Sequence, residues 1–454
     1  MSPTAGPTYV VVGGGISGLA AAYRIRGAVG DGATILVFDP ADRLGGVLRT
    51  ETLCGQPVDI GAEAFIARRP EVPALLRELG LADRQISPTG VRTTIFSGAR
   101  LHPLPSGAVN GIPGSAASMA GLVDQLTIAR IVAEPDRPLR WRHGADPAVG
   151  ELVAERFGPQ VVARSVDPML SGVYAGSAAT IGLRSAVPTV AAALDAGADS
   201  LTAAVRRALP GVTSGPVFGA VAGGYRVLLD ELIERSRLRW VPAAVHALSA
   251  DGGGWVLEDS AGDTTRADGV VLALPAPHTA RLLGDIAPRA AAAAARVPVA
   301  SAAVLAMAVP AGTPFPPQSG VLVASGEDLH SKAITLSSRK WGGRGGPELL
   351  RLSFGRFGDD IARCTPDEQL QAWALADLDT VFGIRADPLG VLIHRWMDAL
   401  PQYGPGHADL AVEVRSALPA GLGVAGNFLD GVGVPACLAA AGRAAGAAVA
   451  ARST

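Results

Sequence analysis

Four glycines fall within six positions in "YVVVGGGISGLAAAYRIR" (Tyr9 to Arg26), between a β-branched run and an alanine-rich run. Glycine weakens regular structure, so such a cluster marks a backbone that something must approach closely. Gly13, Gly14, Gly15, Ile16, Ser17 and Gly18 spell G-x-G-x-x-G. In that spacing Gly13 permits the tight turn, Gly15 lets backbone N–H groups reach a pyrophosphate, and Gly18 lets the following helix pack on the preceding strand. The helix N-terminus, with unused N–H groups and the positive end of its dipole, faces the phosphates. Asp39 closes a second apolar run, "TILVF". It lies roughly 20 residues past the glycines, where an acid is expected to accept from a ribose hydroxyl. An acid there disfavours a 2′-phosphate and leaves NAD or FAD as candidates.

Downstream residues choose between the two. In "DRLGGVLRT" Arg43, Gly45 and Gly46 follow the second strand, and a second glycine pair allows another close backbone approach to an extended cofactor. "VDIGAEAF" follows, with Gly61, Ala62, Glu63 and Ala64. Much later comes "VAGNFLDGVGVPACLAAAG", where Gly431 and Gly433 form a loop entering a helix at Val434-Pro435. Proline suits a first helical turn. That helix N-terminus can stabilise negative charge on a reduced isoalloxazine ring, whereas an NAD domain has no use for so distant a closing motif. FAD is therefore the expected cofactor.

These groups need elements to hold them. Tyr9 to Val12 reads as a buried parallel strand and Leu19 to Arg26 as a helix. Arg239 to Pro275 reads as strands turning at Gly252–Gly254 and at Gly262, and helical periodicity dominates Val149 to Arg164 and Thr189 to Leu209. A length of 454 residues implies two or three domains. With 48% hydrophobic and 18% charged residues, a disordered chain is excluded. A net charge of -2 supplies no long-range field for nucleic acid. Cys54, Cys364 and Cys437 form no CxxC pair, so neither a disulfide framework nor a metal site is expected. "MSPTAGPT" lacks the features of a secretory signal. The alanine-rich stretch from Ala290 is broken by Arg296 and Pro298, and the C-terminal one by Gly442, Arg443 and Gly446, so neither predicts a membrane span. The expected setting is the cytoplasm, at most peripheral to a membrane.

Taken together, G-x-G-x-x-G, the acid, R-x-G-G and the AGN…GxGxP segment resemble the flavin amine oxidase and protoporphyrinogen oxidase superfamily. Within it, "LHPLPSGAVNGIP", "VDPMLSGVYAGSAATIGLRSAVP", "SKAITLSSRKW" and "RWMDALPQYGPGH" look like the oxygen-dependent porphyrinogen oxidases, most of all the coproporphyrinogen III oxidase branch of Gram-positive and actinobacterial haem synthesis. The resemblance implies an α/β fold: a Rossmann-type FAD-binding domain (1–85, 215–290 and 395–454) interleaved with an α+β substrate domain (86–111 and 291–394) and a helical insertion (112–210). It implies six-electron oxidation of the porphyrinogen by O2 with release of H2O2, in three rounds of hydride loss from the methylene bridges. The flavin N5 carries that chemistry and no side chain is expected to be catalytic, in keeping with the absence of GxSxG, HExxH and P-loop motifs. Product hand-over to ferrochelatase, as a monomer or homodimer, completes the picture.

The resemblance carries FAD contacts onto Gly13 to Gly18, Asp39, Arg43, Gly46, Gly61 to Ala64, Val245, Trp396, Val432, Gly433 and Val434, although Val245 reads equally well as a core valine. Carboxylates on the substrate call for cations, and Arg68, Arg69, Arg92 and Lys332 match family positions near the cavity, with Gly172 giving the macrocycle a close approach. Lys332 and Lys340 are the chain's only lysines. Tyr174, Tyr403 and His407 are expected to pack. The alternatives are protoporphyrinogen IX as substrate, another flavin oxidase acting on an amine or polyene, and a binding protein that keeps the fold without FAD. Asp39 departs from the glutamate of many relatives, which shortens the reach to the ribose. The family's membrane-facing insertion is rich in alanine and serine here, so a soluble enzyme is expected.

Overall fold

A computed structural model describes residues 6–211, 215–343 and 345–450. Its organising element is a five-stranded parallel sheet in the order Arg239–Val241, Thr34–Phe38, Thr8–Val12, Gly269–Leu272 and Leu422–Val424. Val10, Val11, Leu36, Val37, Val270 and Val271 are all buried, as strands covered on both faces require. The glycine turn connects Thr8–Val12 to the helix Ile16–Val29, which packs against the helix Val434–Ala450. Alanines on both helices (Ala20, Ala21, Ala440, Ala444) are buried at this meeting. The later helix also lies directly on strand backbone: a Cβ on Gly423 would stand 2.3 Å from the Ala444 carbonyl oxygen, and one on Gly269 2.2 Å from that of Ala448. The alanine-rich C-terminal stretch is thus a closely packed layer of the parallel-sheet unit. Among the described residues no helix is long and apolar enough to cross a membrane.

A mixed seven-stranded sheet stands over this unit, in the order Gly390–Pro401, Val299–Val309, Glu348–Phe354, Ala333–Thr335, Gly320–Val323, Thr93–Ser97 and Arg100–Pro103. Its long strand Val299–Val309 is buried from Ala300 onward, and the pleat divides its side chains. Leu305 and Met307 pack toward Leu370 and Leu378 of the helix Asp367–Phe382, whereas Ala306 and Ala308 pack with Leu53, Val58, Ile60 and Trp396. Gly390–Pro401 stays paired with Val299–Val309 to its end, so this strand carries the sheet past residue 395, the expected domain boundary.

Helices between Gln125 and Ala208 have a core of their own, including Val153, Phe157, Leu183, Leu201 and Val205. The helical run expected over Val149 to Arg164 is broken. Val149–Phe157 ends at Gly158, whose φ of 101° no ordinary helix residue adopts, and a π-helical turn, Val162–Val166, follows. Thr189 to Leu209 likewise divides into Pro188–Asp195 and Leu201–Ala208. There Gly197 turns the chain and the Ser200 hydroxyl accepts the Ala203 N–H at 3.1 Å. Periodicity could not show the charge buried here. Glu134 and Arg156 pair at 2.8 Å with 0% and 1% of their side chains exposed, and Glu134 also accepts from the Leu201 and Thr202 backbone.

Candidate active site

A cavity of about 390 Å³ opens along the carboxyl ends of the parallel strands, where ligands of open α/β sheets bind. Gly13, Gly15, Ile16, Ser17, Asp39, Arg43, Gly46, Ala62, Trp396, Val432 and Val434, all singled out in the sequence, line it together. At Gly13 the φ of 107° and the Ala273 carbonyl oxygen, 2.3 Å from where a Cβ would lie, leave room for glycine alone. Gly18 is closer still to its neighbour: its Cβ would meet the Gly13 carbonyl oxygen at 1.8 Å, which lets the helix come down onto the strand. The R-x-G-G loop crosses behind this turn. Gly45 bridges to Gly15, and a Cβ on Gly46 would stand 3.0 Å from the Gly15 Cα. The two glycine motifs make room for each other as well as for a ligand.

Asp39 is fixed before any ligand arrives. Its Oδ2 accepts the Gly14 N–H at 2.6 Å and its Oδ1 the Ala41 N–H at 2.9 Å, while its carbonyl accepts Trp240 Nε1–H at 3.0 Å. A carboxylate has about four acceptor sites, so lone pairs remain for a ribose. Arg43 donates to the carbonyls of Leu44, Leu48 and Gly46 at 3.0, 3.0 and 2.7 Å. Its buried Nε–H has no partner, and burial, with Arg49 nearby, pulls its pKa below the ordinary value. The guanidinium therefore puts a positive charge in the cavity wall, where it favours an anion.

On the opposite wall, Trp396 donates Nε1–H to the Ile60 carbonyl at 2.9 Å, and its ring lies 3.1 Å from where a Cβ on Gly61 would stand. The loop before the helix Val434–Ala450 is held from several sides. Tyr403 donates its hydroxyl to the Asn427 carbonyl, Asn427 Nδ2 reaches the Ala399 carbonyl at 2.9 Å, and His407 Nε2 lies 3.2 Å from the Leu429 carbonyl oxygen. His407 stacks on Tyr403 at 3.8 Å, which meets Tyr174 at 5.7 Å, so all three pack.

The remaining expected residues are placed elsewhere. Gly14, Gly18, Gly61, Ala64 and Gly433 are not in the lining, although Gly14, Gly18 and Gly61 make close backbone approaches beside it. Glu63 turns away into an ion cluster with Lys340, and Val245 is a buried core residue at the start of the strand Val245–Asp251. Of the substrate candidates, Arg92, Gly172 and Lys332 border the strand Gly320–Val323, whereas Arg68 and Arg69 follow the short strand Phe65–Ile66. Arg68, Arg69 and Arg92 are exposed, with Arg69 paired to Glu71. Gly172 is exposed on the helix Asp167–Tyr174, near Leu322. Lys332 is only 5% exposed and donates Nζ–H to the Gly355 carbonyl at 2.6 Å; burial, with Arg356 beside it, pulls its pKa down to about 7. It immediately precedes the strand Ala333–Thr335, and its ammonium is held by that backbone carbonyl.

Sequence reasoning missed Arg49, Leu274, Pro275, His394, Met397 and Cys437, all of which line the cavity. Signals existed for two. His394 is two residues from Trp396 on one strand and Cys437 three from Val434 on one helix, so each shares the face of a residue already named.

The match to known proteins decides what this cavity holds. The family model of flavin-containing amine oxidoreductases matches residues 16–449. The chain belongs to that family. It is 65% identical over 437 residues to the coproporphyrinogen III oxidase of Mycobacterium tuberculosis, covering 96% of each chain, and 62% identical to that of Mycobacterium leprae, covering 96% of this chain and 97% of that one. A solved structure from Exiguobacterium sp. 255-15, assigned provisionally as a protoporphyrinogen oxidase, superposes with a TM-score of 0.85 at 30% identity, covering 97% of this chain and 98% of that one. As a member of the flavin amine oxidoreductases the chain is an FAD-dependent oxidoreductase. The cavity fits that cofactor: a glycine cradle closed to any Cβ, a helix N-terminus with no acid in its first turn, and the charge of Arg43 in the wall suit a pyrophosphate.

Proposed function

We propose that this chain oxidises coproporphyrinogen III to coproporphyrin III, using three O2 and releasing three H2O2. The observation that carries the reading is 65% identity over 96% of the chain to a coproporphyrinogen III oxidase. FAD, when bound, supplies a two-electron acceptor at each of three rounds. The chain's own residues bind and orient. The glycine turn Gly13 to Gly18 and Arg43 would hold the pyrophosphate and Asp39 the ribose, with Trp396, Val432 and Val434 left to bind the ring. Among the described residues no His, Cys, Asp and Glu gather as a metal site, and the histidine nearest the ring-binding wall, His394, has its pKa lowered by burial and by Arg49 and Arg43. A neutral imidazole beside Trp396 shapes the wall and leaves proton transfer to the macrocycle and solvent.

The second reading is protoporphyrinogen IX, favoured by the assignment of the Exiguobacterium structure. The two substrates differ by two propionates against two vinyl groups, so cations placed to meet carboxylates would favour the four-carboxylate molecule, and neither Arg68 nor Arg92 lines the cavity to do so. An aerobic assay of the purified yellow protein with each porphyrinogen, following porphyrin fluorescence and peroxide together, tests both readings. Faster turnover of coproporphyrinogen III with one peroxide per electron pair is expected; equal or faster turnover of protoporphyrinogen IX overturns the first choice.

A further inference from the structure

The wall segment 60–62 is held in place by the seven-stranded sheet. Trp396 on Gly390–Pro401 takes the Ile60 carbonyl, and Arg351 on Glu348–Phe354 donates Nη2–H to the Gly61 carbonyl at 2.6 Å. The next residue, Glu63, is 12% exposed and accepts from Lys340 Nζ at 2.8 Å and from the Ser337 hydroxyl at 2.7 Å, both on the helix Ser337–Trp341. Arg351 Nη1 stands 3.7 Å from the same carboxylate. Between these grips lies Ala62, which faces the cavity, and the segment's remaining ties, Ile60 N–H to the Arg49 carbonyl and Ala62 N–H to the Val47 carbonyl, lead to residues that line it too.

A buried ion cluster is weak evidence for stability, because desolvation offsets much of the attraction, but it excludes alternative registers of the segments it joins. Arg351 is the member suited to that task. Its planar fork reaches a backbone carbonyl and a carboxylate at once, which the single ammonium of a lysine does not do. We propose that Arg351 is a positioning residue that sets the flavin-facing segment 60–62 from the seven-stranded sheet, so that cofactor affinity and ring environment depend on a side chain that does not line the cavity. Glu63 is its counter-ion and holds the next residue in register.

Titration of the deflavinated full-length protein with FAD, read by flavin fluorescence and by visible circular dichroism of the bound flavin, tests this without any porphyrinogen and so independently of the substrate reading. R351Q is expected to raise the FAD dissociation constant at least tenfold and to change the dichroism of the 450 nm band. R351K should recover part of the affinity. The control is R339Q, which removes another ion pair between the same helix and strand, Arg339 to Glu348 at 2.9 Å, without touching segment 60–62; it should match wild type in both readouts. If R351Q does not fold, R351K decides alone, with an intermediate dissociation constant and altered dichroism expected. Wild-type affinity and dichroism in either Arg351 variant, whatever its melting temperature, overturn the proposal, as does an equal loss in R339Q.

Discussion

At the scale of single residues, the cavity separates side chains that line it from those that hold its wall. Arg43→Met removes a charge and three carbonyl contacts; at about 3 kcal/mol it should weaken FAD binding roughly 100-fold in an equilibrium titration. Trp396→Phe keeps an aromatic ring but loses the bond to Ile60, worth about 1 kcal/mol, and part of the indole's packing beside Gly61, so a weakening of roughly fivefold or more is expected; a loss as large as that of Arg43→Met would mean that the wall collapses without it. Two carboxyls on the same stretch respond oppositely to pH. Burial would raise Glu63, but Lys340 and Arg351 outweigh it and bring its pKa down from 4.5 to about 2, so its contribution is complete above pH 4.5 and lost as pH falls toward 2. Asp59 is raised from 3.8 to about 6, chiefly by burial, against the bonds it accepts from Thr50 and the Tyr225 N–H. The folded state therefore holds this proton more tightly than the unfolded chain, and stability declines as pH rises through 3.8 to 6. Asp59→Asn should flatten that part of a plot of melting temperature against pH, and parallel curves for variant and wild type would show that Asp59 does not titrate in this window.

At the scale of elements, legibility in the sequence followed locality. The first strand, the glycine turn, its helix and Asp39 were readable because each requirement is met within a few residues, by space for a backbone or by alternation along a strand. Lys332 was singled out for its rarity, yet its partner Gly355 lies just past the end of the strand Glu348–Phe354, a contact that no local pattern around Lys332 encodes. Arg68, Arg69 and Arg92 carry charges whose use depends on a ligand and on surfaces far away in the chain. The buried Glu134–Arg156 pair was invisible for the same reason, since neither residue type nor spacing separates it from a solvated pair. Its burial makes it testable: Glu134→Gln strands a guanidinium inside the insertion and should cost about 3–5 kcal/mol in denaturant unfolding. A loss below about 1 kcal/mol would mean that water reaches the pair. Gly423→Ala drives a methyl into the Ala444 carbonyl and should cost about 1–3 kcal/mol or more, with FAD loading reduced because the helix Val434–Ala450 carries Val434 and Cys437 into the cavity wall.

At the scale of the whole molecule, the cavity is assembled from Gly13–Ser17, Asp39–Arg49, Ala62, Ala273–Pro275, His394–Ala399 and Asn427–Cys437, segments drawn from both sheets. A ligand that contacts them all favours only the chain in which they meet, so FAD at 100 times its dissociation constant should stabilise the folded protein by about 2.7 kcal/mol. Removing it should lower the melting temperature, and adding FAD back should restore it; an unchanged melting temperature would contradict a cavity shared between the sheets. The architecture was readable at this scale only where a motif closed on itself across the chain, as the AGN…GxGxP segment does with the first glycine turn. The strand Leu422–Val424 and the helix Val434–Ala450 complete both the parallel sheet and the cavity wall, and they are synthesised after every other segment that lines it. A nascent chain therefore cannot present the complete cavity until these residues have emerged and paired, so the earlier segments must fold with one wall still missing.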